Sequence, residues 1–230
     1  MKNLISVVIP VYEMCGDGVF FLEKSFNTLI NQTYKNIEVV ISDHSVGTDI
    51  EELCVKYSNN LNIKYLKNIH NRGGSSPNLN NGLKNCDGTI IKILMQDEFL
   101  YDEQGLEKIN NLFVDTNVNW VITGCVNGDK YGNIKSSMSP MYVNDIHIGN
   151  NRIGSPSVLT IRNENILLFN EDLIWLMDCE YYKRLYDKYG NPTVLNEKIV
   201  FISQHDNQLT SLLSDTVKNN EVELMKKTYE

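Results

Sequence analysis

The strongest constraint on this chain is the alternation in its first hundred residues. "ISVVIPVY" reads as a buried strand, and "FFLEKSFNTLINQT" as a helix with apolar residues at helical spacing. "IEVVISD" is a second strand, "DIEELCVKYSNN" a second helix and "NIKYLKN" a third strand. "SSPNLNNGLKNC" reads as a short helix with Ser75 or Ser76 near its cap and Pro77 in its first turn, and "GTIIKILMQD" as a fourth strand. Strand alternating with helix predicts an α/β layer with a mainly parallel sheet. Right-handed crossovers then gather the strand C-termini at one edge, where ligands bind.

That edge collects polar groups from four strands: Pro10 to Glu13, Ser42 to Ser45, Asn68 to Gly74, and Gln96-Asp97-Glu98. The second half is less regular. "EQGLEKINNLFVD" reads as a helix, "NWVITGCVNG" as a strand, "GDKYGNIKSS" as a hairpin, and "RIGSPSVLTIRNEN" as a loop and strand. "NEDLIWLMDCEYYKRLYDKYG" reads as a long helix capped by Asn170 and stopped by Gly190. "KIVFISQ" is a strand, and the polar tail from about Ser214 reads as helical. No linker or repeat divides the chain, so residues 1–230 are expected to form one domain with two functional halves, about 1–100 and 101–230.

Composition narrows the function classes. A formal net charge of −8 disfavours broad nucleic-acid binding. Five cysteines, an odd number without C-x-x-C spacing, argue against a disulfide framework or a cysteine zinc site and suit a reducing cytoplasm. No run approaches the roughly 18 apolar residues of a membrane span. The start runs into Pro10 and lacks a signal-peptide pattern, so the sequon at Asn31 is read as chance.

Several residues carry alternatives. Asp97, where a strand leaves the sheet, suits a hard cation held against a diphosphate, or a helix cap for "DEFLYDEQ". Asp43 suits a contact to a base or ribose, or an Asx-turn. "NRGGSSPN" fits a phosphate or a tight turn, and it is not a P-loop. Asp178, among Leu176, Met177 and Cys179, suits a general base if buried, or an exposed acid paired with Lys183 or Arg184. His205, just past a strand, suits a metal or diphosphate ligand, or a satisfied loop residue. Trp120 reads as core. Trp175, a helical turn before Asp178, reads as core or as the wall of a sugar pocket. Lys92 inside the fourth strand either reaches the strand edge or pairs with an acid such as Asp43.

Taken in order, "ISVVIPVYE", "NQTYKNIEVVISDHS", "NRGGSSPNLNNGLKNCDGTIIKILMQDE" and "EDLIWLMDCEYYKRL" resemble a family 2 glycosyltransferase with a GT-A fold. The likeness is greatest to small bacterial or viral enzymes that build capsule, O-antigen and other surface glycans. It implies a Rossmann-like, mainly parallel sheet with helices on both faces and a smaller mixed region on the acceptor side. It also implies a metal-dependent, inverting transfer from a nucleotide-sugar donor to a hydroxyl of a glycan or lipid-linked acceptor.

By that resemblance, Pro10, Val11, Tyr12 and Glu13 wrap the nucleotide, with Asp43, Ser45, Asn71, Gly74 and Asn78 nearby. The family's D-x-D appears as Met95-Gln96-Asp97. Gln96 then belongs to the donor site, and Asp97 holds Mn2+ or Mg2+, with Glu98 and His205 as further candidate ligands. Asp178 matches the catalytic base, and Gly154, Ser155, Pro156 and Trp175 lie at the acceptor. The implied donor is a UDP-sugar, or else a GDP- or dTDP-sugar. The implied location is the cytoplasm, peripheral at a membrane's inner face if the acceptor is lipid-linked. Two other functions compete. A non-catalytic glycosyltransferase-like binder would explain the missing first acid of D-x-D. A sugar-phosphate nucleotidyltransferase needs a basic glycine-rich loop that "PVYEMCGDG" lacks.

Overall fold

The computed structural model describes residues 3–205, 208 and 212–230. Strand β1 (Ile5–Val11) is buried along its whole length and lies between β2 (Ile37–Asp43) and β4 (Ile90–Ile93). Both pairings are parallel, as is that of β2 with β3 (Ile63–Lys67). A strand covered on both faces needs the near-continuous apolar run that "ISVVIPV" supplies. Helices α1 (Gly18–Ile30), α2 (Asp49–Tyr57) and α3 (Ser75–Leu83) form the crossovers. α3 packs closely on the sheet. A Cβ placed on Gly82 would lie 2.6 Å from Val8 Cγ1, so the helix sits where only a glycine leaves room.

The second half extends the same sheet. Its strands are β5 (Phe99–Leu100), β6 (Trp120–Asp129), β7 (Ile134–Met138), β8 (Leu159–Arg162) and β9 (Thr193–Gln204). The order is β3-β2-β1-β4-β8-β6-β9-β5, with β7 beside the far end of β6. The sheet is parallel through β3-β2-β1-β4 and mixed beyond. β8 runs antiparallel to β4 and β6, while β6 and β9 are parallel. Helices α4 (Gly105–Leu112), α5 (Met177–Tyr189) and α6 (Asp215–Tyr229) complete the α-helices among the described residues.

Local expectations meet the structure unevenly. Gly190 ends α5 with φ +74, and Ser214 caps α6 by accepting from Val217 N–H. The cap of α3 is Gly74, and Ser75 and Ser76 follow it in the first turn, near the cap as expected. α5 begins at Met177, not after Asn170: the N–H groups of Asp172 and Leu173 turn back to Asn170, and those of residues 174–176 go to Glu221. Asp97 caps nothing, since β5 follows it and α4 starts only at Gly105. Lys92 does not meet Asp43. Fully buried, it donates to the carbonyls of Ser157 and Leu159 across the β4–β8 pair.

Candidate active site

The strand ends of β1 and β4 open onto a cavity of about 820 Å3. One wall is the turn after β1. Gln96, leaving β4, clamps this turn: its Oε1 accepts from Tyr12 N–H at 2.9 Å, and its Nε2 donates to the carbonyls of Tyr12 (3.0 Å) and Gly18 (2.9 Å). A carboxamide fits here because it both donates and accepts, and a carboxylate could only accept. Gln96 lines the cavity but spends its polar atoms on backbone. Glu13 reaches the other way, accepting from Val46 N–H beyond β2.

Asp43 is fully buried and does not line the cavity among the described residues. Its Oδ1 accepts from Ser45 N–H at 2.7 Å, the Asx-turn geometry. Its Oδ2 accepts from Ser45 Oγ, Tyr65 Oη and Lys67 Nζ. Burial alone would raise this carboxyl, but the bonds from Tyr65, Ser45 and Lys67 outweigh it and hold the pKa below the usual carboxylate value. Val11 and Ser45 are equally enclosed, and Asn71 turns outward to Glu171. Asn78 touches the cavity while bonding Ser42 Oγ and the Val11 carbonyl. Pro10, Tyr12, Glu13 and Gly74 line it.

At the floor, Asp97 Oδ2 lies 3.0 Å from His205 Nε2, and the imidazole stacks on Phe21 at 5.1 Å. These two side chains, from the segments just after β4 and β9, form one oxygen-and-nitrogen donor pair. Among the described residues no group of three or more acidic, histidine or cysteine side chains could hold a metal. A hard divalent cation that keeps phosphate and water ligands does not require three protein donors, so the pair fits one. Glu98 is turned inward, and its Oε2 accepts from Ser155 Oγ at 2.7 Å. Burial, then the Asp97 charge, pushes its carboxyl well up, which favours the protonated form over a metal ligand.

The opposite wall comes from residues 151–158 and the start of α5. Gly154, Ser155, Pro156 and Trp175 all line it. Asn151 builds the turn: its Oδ1 accepts from Ile153 and Gly154 N–H, and its Nδ2 donates to Gly154 O and to Asp178 Oδ2 at 2.9 Å. Asp178 Oδ1 accepts from Cys179 N–H at 2.7 Å. Asp178 does not pair with Lys183 or Arg184, which bond Asp187 and Glu180. Burial pushes its carboxyl up to about 6 despite the bonds from Cys179 and Asn151. The result is an oriented carboxyl facing a cavity, with a pKa near working pH, as a general base requires.

Sequence reasoning passed over two contributors. Arg72, in the glycine-rich turn, is a cation in a lining that also holds Glu13, Asp97, Glu98 and Asp178. It was legible as the one basic residue of "NRGGSSPN". Asn151 acts through tertiary contacts that carry no motif.

Comparison with known proteins bears on this geometry. A family model described as glycosyl transferase family 2 matches residues 6–186. The chain is 28% identical over 97 residues to a GalNAc(5)-diNAcBac-PP-undecaprenol beta-1,3-glucosyltransferase of Campylobacter jejuni, covering 42% of this chain and 30% of that protein. It spans between 17% and 32% of the length of the first curated relatives it matches. Among solved structures, S. aureus TarS 1-349 in complex with UDP-GlcNAc is similar with a TM-score of 0.72 at 20% identity, over 98% of this chain and 65% of that one. The mannosyltransferase PcManGT of Pyrobaculum calidifontis, in complex with GDP-Man and Mn2+, has a TM-score of 0.60 at 16% identity, over 90% of this chain and 56% of that one. The α/β fold is the GT-A fold of such structures.

Proposed function

The chain belongs to glycosyl transferase family 2, and from that premise we propose that it moves a sugar from a nucleotide-sugar donor to a hydroxyl of a glycan or lipid-linked acceptor. One observation carries this most: a single cavity is lined by Asp97, paired with His205, and also by Asp178, held by Asn151. A diphosphate end and a proton-accepting end share one space.

Tyr12 and the turn after β1 take the nucleotide, and Arg72 meets its charge. Asp97 and His205 would hold a divalent cation, which when bound would neutralise the diphosphate's negative charge. The acceptor lies against Trp175 and the turn of Gly154 to Pro156. Asp178 takes the proton of the acceptor hydroxyl as that oxygen bonds to the anomeric carbon. The bond from that carbon to the diphosphate oxygen breaks, its electron pair leaves with the nucleoside diphosphate, and the anomeric centre inverts. Gln96, where a first acid of D-x-D would stand, organises the donor turn in this scheme, so its presence does not argue for a non-catalytic binder.

The relative's undecaprenol-linked acceptor favours a lipid-linked glycan, which would place the protein at the inner face of a membrane. No helix among the described residues is long and apolar enough to cross one. UDP-sugars are the first donors to test, then GDP- and dTDP-sugars. The test offers each donor with Mn2+ and a mixture of lipid-linked and free oligosaccharides. Nucleoside diphosphate release that grows with acceptor concentration is the expected result. Tight nucleotide binding without release from any donor would favour a binding protein.

A further inference from the structure

The residues just before α5 are held from a distance. Ile174 donates its backbone N–H to Glu221 Oε1 at 2.8 Å. Trp175 and Leu176 donate theirs to Oε2 of the same carboxylate at 3.0 and 2.8 Å. Glu221 belongs to α6 and is 7% exposed. A carboxylate so enclosed is costly unless its lone pairs are filled, and three charge-assisted bonds fill them. Such a contact does for a helix entrance what a local cap does for its orphan N–H groups.

The rest of α6 is seated to keep this contact. Met225 is buried in the core, and Tyr229 Oη donates to Glu180 Oε1 at 3.0 Å on α5. Lys218, one turn before Glu221, stands 5.9 Å from the Trp175 ring. From the other side, Ser76 Oγ on α3 donates to the Leu173 carbonyl at 3.3 Å. Residues 173–176 are thus clamped between α3 and α6. They carry Ile174 and Trp175 into the cavity and lead directly into Asp178.

We propose that Glu221 is a positioning residue: through the N–H groups of residues 174–176, helix α6 fixes Trp175 and Asp178 at the acceptor end of the cavity. The catalytic consequence rests on the glycosyl-transfer reading above, while the positioning itself does not. Reaction geometry tolerates little displacement, so a loosened entrance to α5 lowers turnover and acceptor affinity. The donor end is anchored separately, by Gln96 on the β1 turn and by Asp97 with His205. Donor affinity should therefore stay unchanged.

The test compares Glu221→Ala and Glu221→Gln with Glu223→Gln, an exposed control on the same helix. Glu221→Gln keeps shape and one acceptor oxygen, and it serves if Glu221→Ala fails to fold. Hydrogen exchange at 174–176 should accelerate by about tenfold or more in Glu221→Ala and less in Glu221→Gln, as expected for losing bonds to a charged group. Trp175 emission should shift while the buried Trp120 stays constant. In transfer assays, acceptor KM should rise and kcat should fall about tenfold, with donor KM within about twofold of wild type.

Unchanged exchange in both Glu221 variants would overturn the proposal. So would accelerated exchange with kinetics like those of Glu223→Gln, which leaves a purely structural contact. Donor and acceptor losses in step with melting temperature would also overturn it. A wild-type chain that turns over no nucleotide sugar would sink the transfer reading instead, and exchange and emission would still decide for or against the positioning role.

Discussion

Asp178 owes its character to opposing effects. Burial raises the carboxyl to about 6, while Cys179 N–H and Asn151 Nδ2 favour the charged form and hold it in place. As a base it must be deprotonated, so kcat should climb as pH rises through about 6 and level above it. Asp178→Asn removes the proton acceptor and should lower kcat by about 10²- to 10⁴-fold with nucleotide affinity nearly intact. Full activity in that variant, or a profile flat from pH 5 to 8, would remove Asp178 from the base role. Its residue type and apolar neighbours were legible in the sequence. The orientation from Asn151 was not, because a loop 27 residues away supplies it.

At the scale of elements, what could be read was a regular apolar pattern. The elements from Ile5 to Ile93 show it, because buried parallel strands need a near-continuous apolar run and amphipathic helices a helical repeat. The two-residue strand Phe99–Leu100 has no period to detect. The true start of α5 was hidden for another reason. Residues 171–176 have a helical pattern, but the N–H groups of 174–176 bond to Glu221, a partner 45 to 47 residues on. Helix-to-sheet spacing is set by single positions. Gly82→Ala would drive its Cβ into Val8, which has no flexible end to yield, and should destabilise the fold by about 1–3 kcal/mol. A urea midpoint equal to wild type would show that α3 sits farther from β1.

Lys92 ties β4 to the turn of residues 155–159, and burial lowers its pKa from 10.5 to about 7. Between those values the unfolded chain binds the extra proton, so this residue makes stability rise with pH from about 7 to about 10.5. Subtracting a Lys92→Met titration from that of the wild type should isolate this rise. Identical pH dependence in the two proteins would mean that the ammonium stays charged when buried.

For the whole molecule, charge is the deciding quantity. A chain of formal charge −8 places Glu13, Asp97 and Asp178, besides the protonated Glu98, around the cavity to which the proposed function assigns a doubly charged diphosphate. Arg72 alone offsets little of this, and a cation on Asp97 and His205 would change the balance. Nucleotide binding should therefore depend on metal. The measurement that tests this most directly is the melting temperature with UDP, GDP or dTDP, each with and without Mn2+, in wild type and Asp97→Ala. At about 100 times Kd, a ligand selective for the native state adds about 2.7 kcal/mol. For a chain of this size that is about 5–10 °C. The account predicts such a rise for one nucleotide only when Mn2+ is present, and its loss in Asp97→Ala. A rise that needs no metal and survives Asp97→Ala, or no rise with any nucleotide, would contradict it.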